Sequence, residues 1–238
     1  MSTFKFWIVL FGLLLAGAAV RAEDSWASRD YDYASRQLND FTSRFERDLV
    51  NPISRGLRAP RTASVSRAAK AQASPTTVPA RAPQMPAAMA AQYPADQRQR
   101  VMRTFEQLLA GYHQIEQKFG LAPYDVAGAM AAFAAASYMG YRNAPFPDRH
   151  FMPLVQQMQG LLGADADFRR ASVRSKQDMY EQLVILGMLV ASTQTALQSR
   201  PDAPLAATMQ RASKNYLERM LKADADRVTL TDHGLVIR

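Results

Sequence analysis

His113 and Glu116 stand three residues apart, a spacing that puts an imidazole and a carboxylate on one helix face. Such a pair could ligate a metal ion or pass a proton. A di-iron bundle would need a Glu-x-x-His partner on another helix, and the sequence has none. The pair is expected to be a surface contact near a helix end. Asp165/Asp167 and Asp224/Asp226 both occur as Ala-Asp-Ala-Asp. Paired carboxylates suggest calcium binding or acid–base work, but the Asp-x-Asp-x-Asp-Gly loop of an EF-hand is missing. Both pairs adjoin helix ends and are expected to be solvated connector carboxylates. Ser137, Ser172 and Ser192 lie outside any G-x-S-x-G setting, and no motif ties a histidine to them.

Arg169, Arg170, Arg174 and Lys176 form a local basic cluster. It reads as a solvated rim or as a site for an acidic partner. Nucleic-acid binding would want such a cluster with aromatic side chains on a shared face, and expected export together with a charge of only +3 over residues 95–238 argues against it. The absence of cysteine excludes disulfides, thiolate metal sites and cysteine nucleophiles. Three histidines, His113, His150 and His233, leave little material for a multi-histidine centre. No two of the 11 glycines are spaced as G-x-G, which rules out Rossmann and P-loop phosphate cradles. No catalytic, cofactor-binding or metal-ligating residue is therefore expected, and no cofactor.

The elements around these residues fall into four zones. Lys5 precedes an apolar run, Phe6 to Val20, which leads into Val20-Arg21-Ala22. A charge, a short apolar core and small residues before the cut are the parts of a secretory signal peptide, here residues 1–22. The competing reading is an uncleaved anchor, for which the run falls short of the roughly 20 residues needed to span a bilayer. A protein exported to the periplasm or the medium is expected, with no transmembrane segment after cleavage.

Residues 23–50 place Tyr31, Ala34, Leu38, Phe41, Phe45 and Leu49 at alternating threes and fours, the spacing of an amphipathic helix. Such a helix is marginal alone and needs a surface to cover its stripe. That surface is the chain's own C-terminal domain, a second copy, or another protein. Tyr31, Leu38, Phe41, Phe45 and Leu49 are thus the candidate partner-binding residues.

Residues 51–94 hold 7 of the 13 prolines, 12 alanines, 6 basic residues and no acidic one. Proline interrupts helices, and so few large apolar side chains cannot offset chain entropy. This zone is expected to be a disordered basic linker: a spacer, or a hook for anionic envelope polymer. It also holds most of the formal net charge of +8, since residues 95–238 carry 17 basic and 14 acidic residues.

From residue 95 the apolar spacing is helical throughout, which predicts an all-α domain of about five helices over 95–238. Val101, Phe105, Leu108, Tyr112, Ile115 and Phe119 form the first stripe, closed by Gly120. The second helix, expected from Pro123 to Tyr141, has an interior of small residues that suits a central position. A third helix is expected over 151–162, a single turn within 164–171, a fourth helix over 173–198 and a fifth over 203–223. Val228–Thr231 and Leu235–Ile237 flank Asp232-His233-Gly234 and read as a short strand-like hairpin.

Three stretches, YDVAGAMAAFAAASYMGYRN (124–143), SKQDMYEQLVILGMLVAS (175–192) and LKADADRVTLTDHGLVI (221–237), together resemble a family of uncharacterised exported bacterial helical proteins, a domain of unknown function. The resemblance covers residues 100–237 and brings no catalytic or ligand-binding residue with it. The function expected is non-enzymatic protein–protein binding or self-association. The alternatives are an envelope hydrolase with a carboxylate/histidine site outside known motifs, and a structural module held on anionic wall polymer by the basic linker.

Overall fold

The computed structural model describes residues 75–238. Five long helices carry the domain: α2 (Arg98–Phe119), α3 (Val126–Arg142), α4 (Phe151–Ala164), α6 (Val173–Ser199) and α7 (Ala203–Leu221). Two short ones, α1 (Met85–Ala90) and α5 (Ala166–Arg170), precede α2 and link α4 to α6. The domain is all-α apart from its tail, an antiparallel pair of strands, β1 (Val228–Thr231) and β2 (Gly234–Ile237).

Local chemistry sets the helix ends. Asp165, Ser172 and Asp202 each accept a backbone N–H from the first turn of the helix they precede. Gly120 closes α2 in the left-handed conformation, φ 63°. The second long helix starts later than the expected Pro123. Tyr124 takes φ 59°, outside the helical range, and Asp125 accepts the N–H of Ala127 as the cap of α3.

Helix α3 is buried nearly all round and packs on α6, α7 and α4, as its small residues predict. The close approaches are specific. A Cβ at Gly187 of α6 would lie 3.0 Å from the Phe133 Cα of α3, and one at Gly140 of α3 would lie 2.2 Å from the Ser213 Oγ of α7. Tyr112, Met130, Leu154, Met158, Leu183, Ile185 and Met209 fill the centre, each almost wholly buried. Gln157 of α4 docks the hairpin by holding both backbone groups of Leu235, donating at 2.7 Å and accepting at 2.8 Å.

The expected linker over 51–94 is corrected in its last twenty residues. Residues 75–94 form a strap along the bundle. Val126 donates to the Thr76 carbonyl and Val78 to the Tyr124 carbonyl. Gln177 then donates to the Pro79 carbonyl at 2.8 Å, and Arg81 pairs with Asp178 and Glu181. Val78, Ala90 and Tyr93 are buried in the core. Prolines and alanines suffice here because a few buried side chains, Val78, Ala90 and Tyr93, are joined by single polar contacts to α6 and to the connection between α2 and α3. The folded domain therefore includes residues 75–94. The expected signal peptide, the amphipathic stripe and the linker up to 74 lie outside the described residues.

Candidate functional site

Glu116 sits in the last turn of α2 and is 3% exposed. Its Oε2 lies 2.6 Å from His113 Nδ1, one turn back on the same helix. Its Oε1 accepts the Tyr180 hydroxyl of α6 at 2.8 Å and the backbone N–H of Tyr124 at 3.1 Å. The pair is at a helix end as expected, but it is not a surface pair. Only the imidazole, with 38% of its side chain exposed, reaches solvent. Helical spacing shows His113 and Glu116 to each other and cannot show Tyr180, 64 residues further on.

Aromatic rings wall this carboxylate. Tyr124 contacts both His113 and Tyr180, with centroids 5.3 and 5.6 Å apart, and Tyr112 meets Tyr180 at 6.1 Å. Burial raises the pKa of the Tyr180 hydroxyl, and the Glu116 charge and the bond donated to it raise it further. Tyr112 is raised well above the ordinary range by burial, then by the charges of Glu116 and Asp125. Its hydroxyl is buried without a hydrogen-bond partner. Tyr124 holds its left-handed φ of 59° beside them, a strained conformation for an aromatic residue.

Two further buried carboxylates work in the same way, and both escaped the sequence reading. Asp125 Oδ1 accepts the Thr76 hydroxyl at 2.5 Å as well as the Ala127 N–H, and its Oδ2 accepts Gln159 Nε2 at 2.8 Å. One side chain thereby joins the strap, α3 and α4. Glu181 receives Arg81 on Oε1 and the backbone N–H groups of Gln84 and Met85 on Oε2. A signal existed for each: an aspartate directly before a small-residue helix, and a glutamate adjoining the apolar run of α6.

The arrangement orients the half-exposed His113 ring through Nδ1, the orienting half of a proton-transfer device. Glu116 is its hydrogen-bond partner among the described residues. The buried His150 faces one carboxylate, Asp232 at 3.2 Å, and receives the Arg149 guanidinium on Nε2. Neither histidine meets two carboxylates among the described residues. Among the described residues no three His, Cys, Asp or Glu side chains gather as a metal site. Ser172 caps α6, Ser192 donates to the Leu189 carbonyl, and Ser137 is buried in α3.

Both Ala-Asp-Ala-Asp repeats sit at helix ends. Asp165 caps α5 and Asp167 pairs with Arg170. Asp224 accepts the Asp226 N–H, and Asp226 faces Tyr141 and Lys214. The Tyr141 hydroxyl, then Lys214, lowers the pKa of Asp226. Arg169, Arg170 and Arg174 of the basic cluster are exposed around the start of α6. The candidate partner-binding residues Tyr31, Leu38, Phe41, Phe45 and Leu49 lie outside the described residues.

No helix of the described residues is long and apolar enough to cross a membrane. Neither a curated protein nor a solved structure matches the chain. A family of unknown function, DUF6683, matches residues 5–238, well beyond the 100–237 over which the resemblance was read. With nearly its whole length matched, the chain belongs to that family.

Proposed function

We propose that this is an exported, non-enzymatic protein that binds another protein through Tyr31, Leu38, Phe41, Phe45 and Leu49, with the helical bundle as its rigid base. One observation carries the reading. Among the described residues Val173 is the large apolar side chain left exposed, at 53%. A stripe of three or four large side chains would gain roughly 1.5–3 kcal/mol for each one buried, and a bundle so covered offers it little to bury against. The buried carboxylates support the same reading, since Glu116, Asp125 and Glu181 are each occupied in joining elements. Export rests on the sequence of residues 1–22 and is part of the proposal.

The test is site-specific photo-crosslinking from position 41 in the native host. A crosslink to a different protein, lost when Phe45→Ala and Leu38→Ala are added, is the expected result. Crosslinks found only within the chain's own 75–238 region would overturn the reading. Intact-mass measurement of the same material tests export: a chain beginning at Glu23 is expected, and recovery of residues 1–238 in the membrane fraction would contradict it.

A further inference from the structure

The exposed Val173 does not stand alone. It opens α6, and Arg169, Arg170 and Arg174 are exposed beside it. Lys176 leans over the Phe168 ring at 4.8 Å and reaches the Arg169 carbonyl. The carboxylates nearby offset part of this charge. Asp167 pairs with Arg170, Asp165 is taken up by the Phe168 N–H, and Asp178 pairs with Arg81. Among the described residues the side chains of Arg169 and Arg174 have neither an ion pair nor a hydrogen bond.

The strap adds to the same end of the molecule. Pro79 is fixed to Gln177, the residue after Lys176, so the strap passes beside the basic start of α6. In sequence, residues 51–74 carry Arg55, Arg58, Arg61, Arg67 and Lys70 and no acidic residue, and they lie outside the described residues.

We propose that this end of the bundle, with Val173 at its tip and Arg169, Arg170, Arg174 and Lys176 around it, docks on an anionic phospholipid surface. A specific protein interface has an apolar core ringed by polar groups, and one valine is too little to form one. A purely electrostatic site for a soluble polyanion leaves the exposed valine without a role. An apolar tip among cations matches the boundary between headgroups and acyl chains, where cations meet the negative surface potential.

The test is co-sedimentation of the full chain with vesicles of phosphatidylglycerol and phosphatidylcholine, against phosphatidylcholine alone. The apolar run Phe6 to Val20 would enter either kind, so the readout is the difference between them. Wild type should prefer the anionic vesicles. Arg169→Glu with Arg174→Glu should reduce that preference about tenfold or more, given the usual attraction of each cation to such a surface. Val173→Ser should weaken anionic binding while its salt dependence persists. Melting of both variants should match wild type, since these side chains are exposed. Equal binding to both vesicle types would overturn the proposal, as would a preference untouched by the arginine changes. So would a Val173→Ser chain that binds like wild type, which would reduce the site to a soluble-polyanion contact.

Discussion

At the scale of single residues, Glu116 shows why a sequence motif can be seen and still be misread. His-x-x-Glu is legible, yet whether that face is wet depends on α6 arriving over it. Glu116→Ala would leave the Tyr180 hydroxyl and the Tyr124 N–H buried and unpaired, a loss on the order of 3 kcal/mol. His113→Ala removes a half-exposed partner and should cost under about 1 kcal/mol. Urea unfolding of the two variants checks the order, and a larger loss for His113→Ala would contradict it. The same cluster predicts alkaline behaviour. Tyr112 and Tyr180 have raised pKa values in the fold, so their protons stay bound there while the unfolded chain releases them near pH ~10. Their contribution to stability is whole below that pH and is lost as pH rises above it. At least these two of the nine tyrosines should ionise only as the chain unfolds, followed by near-ultraviolet absorbance against circular dichroism. Reversible titration of all nine in the folded protein would refute this.

At the scale of elements, periodicity carried the long helices well. Apolar stripes at threes and fours, Gly120 and Ser172 placed α2, α4, α6 and α7 close to where they lie, and the small residues of α3 placed it at the centre. The hairpin too was readable, although its turn is Asp232-His233, with Gly234 already paired in β2 rather than in the connection. The strap was not, because nothing in Pro75 to Pro94 repeats. Its anchors, Thr76, Arg81 and the N–H groups of Gln84 and Met85, reach partners 49 to 100 residues away one at a time. Limited trypsin digestion should accordingly spare Arg81 and leave a resistant fragment that retains the strap. Early cleavage at Arg81 would show the strap to be loosely held. Two glycines give a sharper contrast. Gly234 has φ 101°, and a Cβ there would fall 2.1 Å from Gln157 Oε1, so Gly234→Ala should cost roughly 1–3 kcal/mol and speed amide exchange at Leu235. Gly160 of α4 has nothing within 4 Å of its Cβ position, so Gly160→Ala should be neutral or stabilise by up to about 1 kcal/mol.

At the scale of the whole molecule, the described bundle covers its own apolar surface and uses its buried carboxylates as joints between the strap and the helices. The sequence allowed that organisation without specifying it, since burial depends on which helices meet and apolar spacing reports only that each has a face to bury. The proposed binding stripe, Tyr31, Leu38, Phe41, Phe45 and Leu49, carries more apolar side chain than the one exposed valine among the described residues could cover. The most direct measurement is the melting temperature of the full chain against its Phe41→Ala/Phe45→Ala variant. If the stripe serves another molecule, the two should melt together. If those rings were packed on the bundle, truncating them would cost up to roughly 3–5 kcal/mol each and lower the midpoint by several degrees, and such a drop would contradict the account.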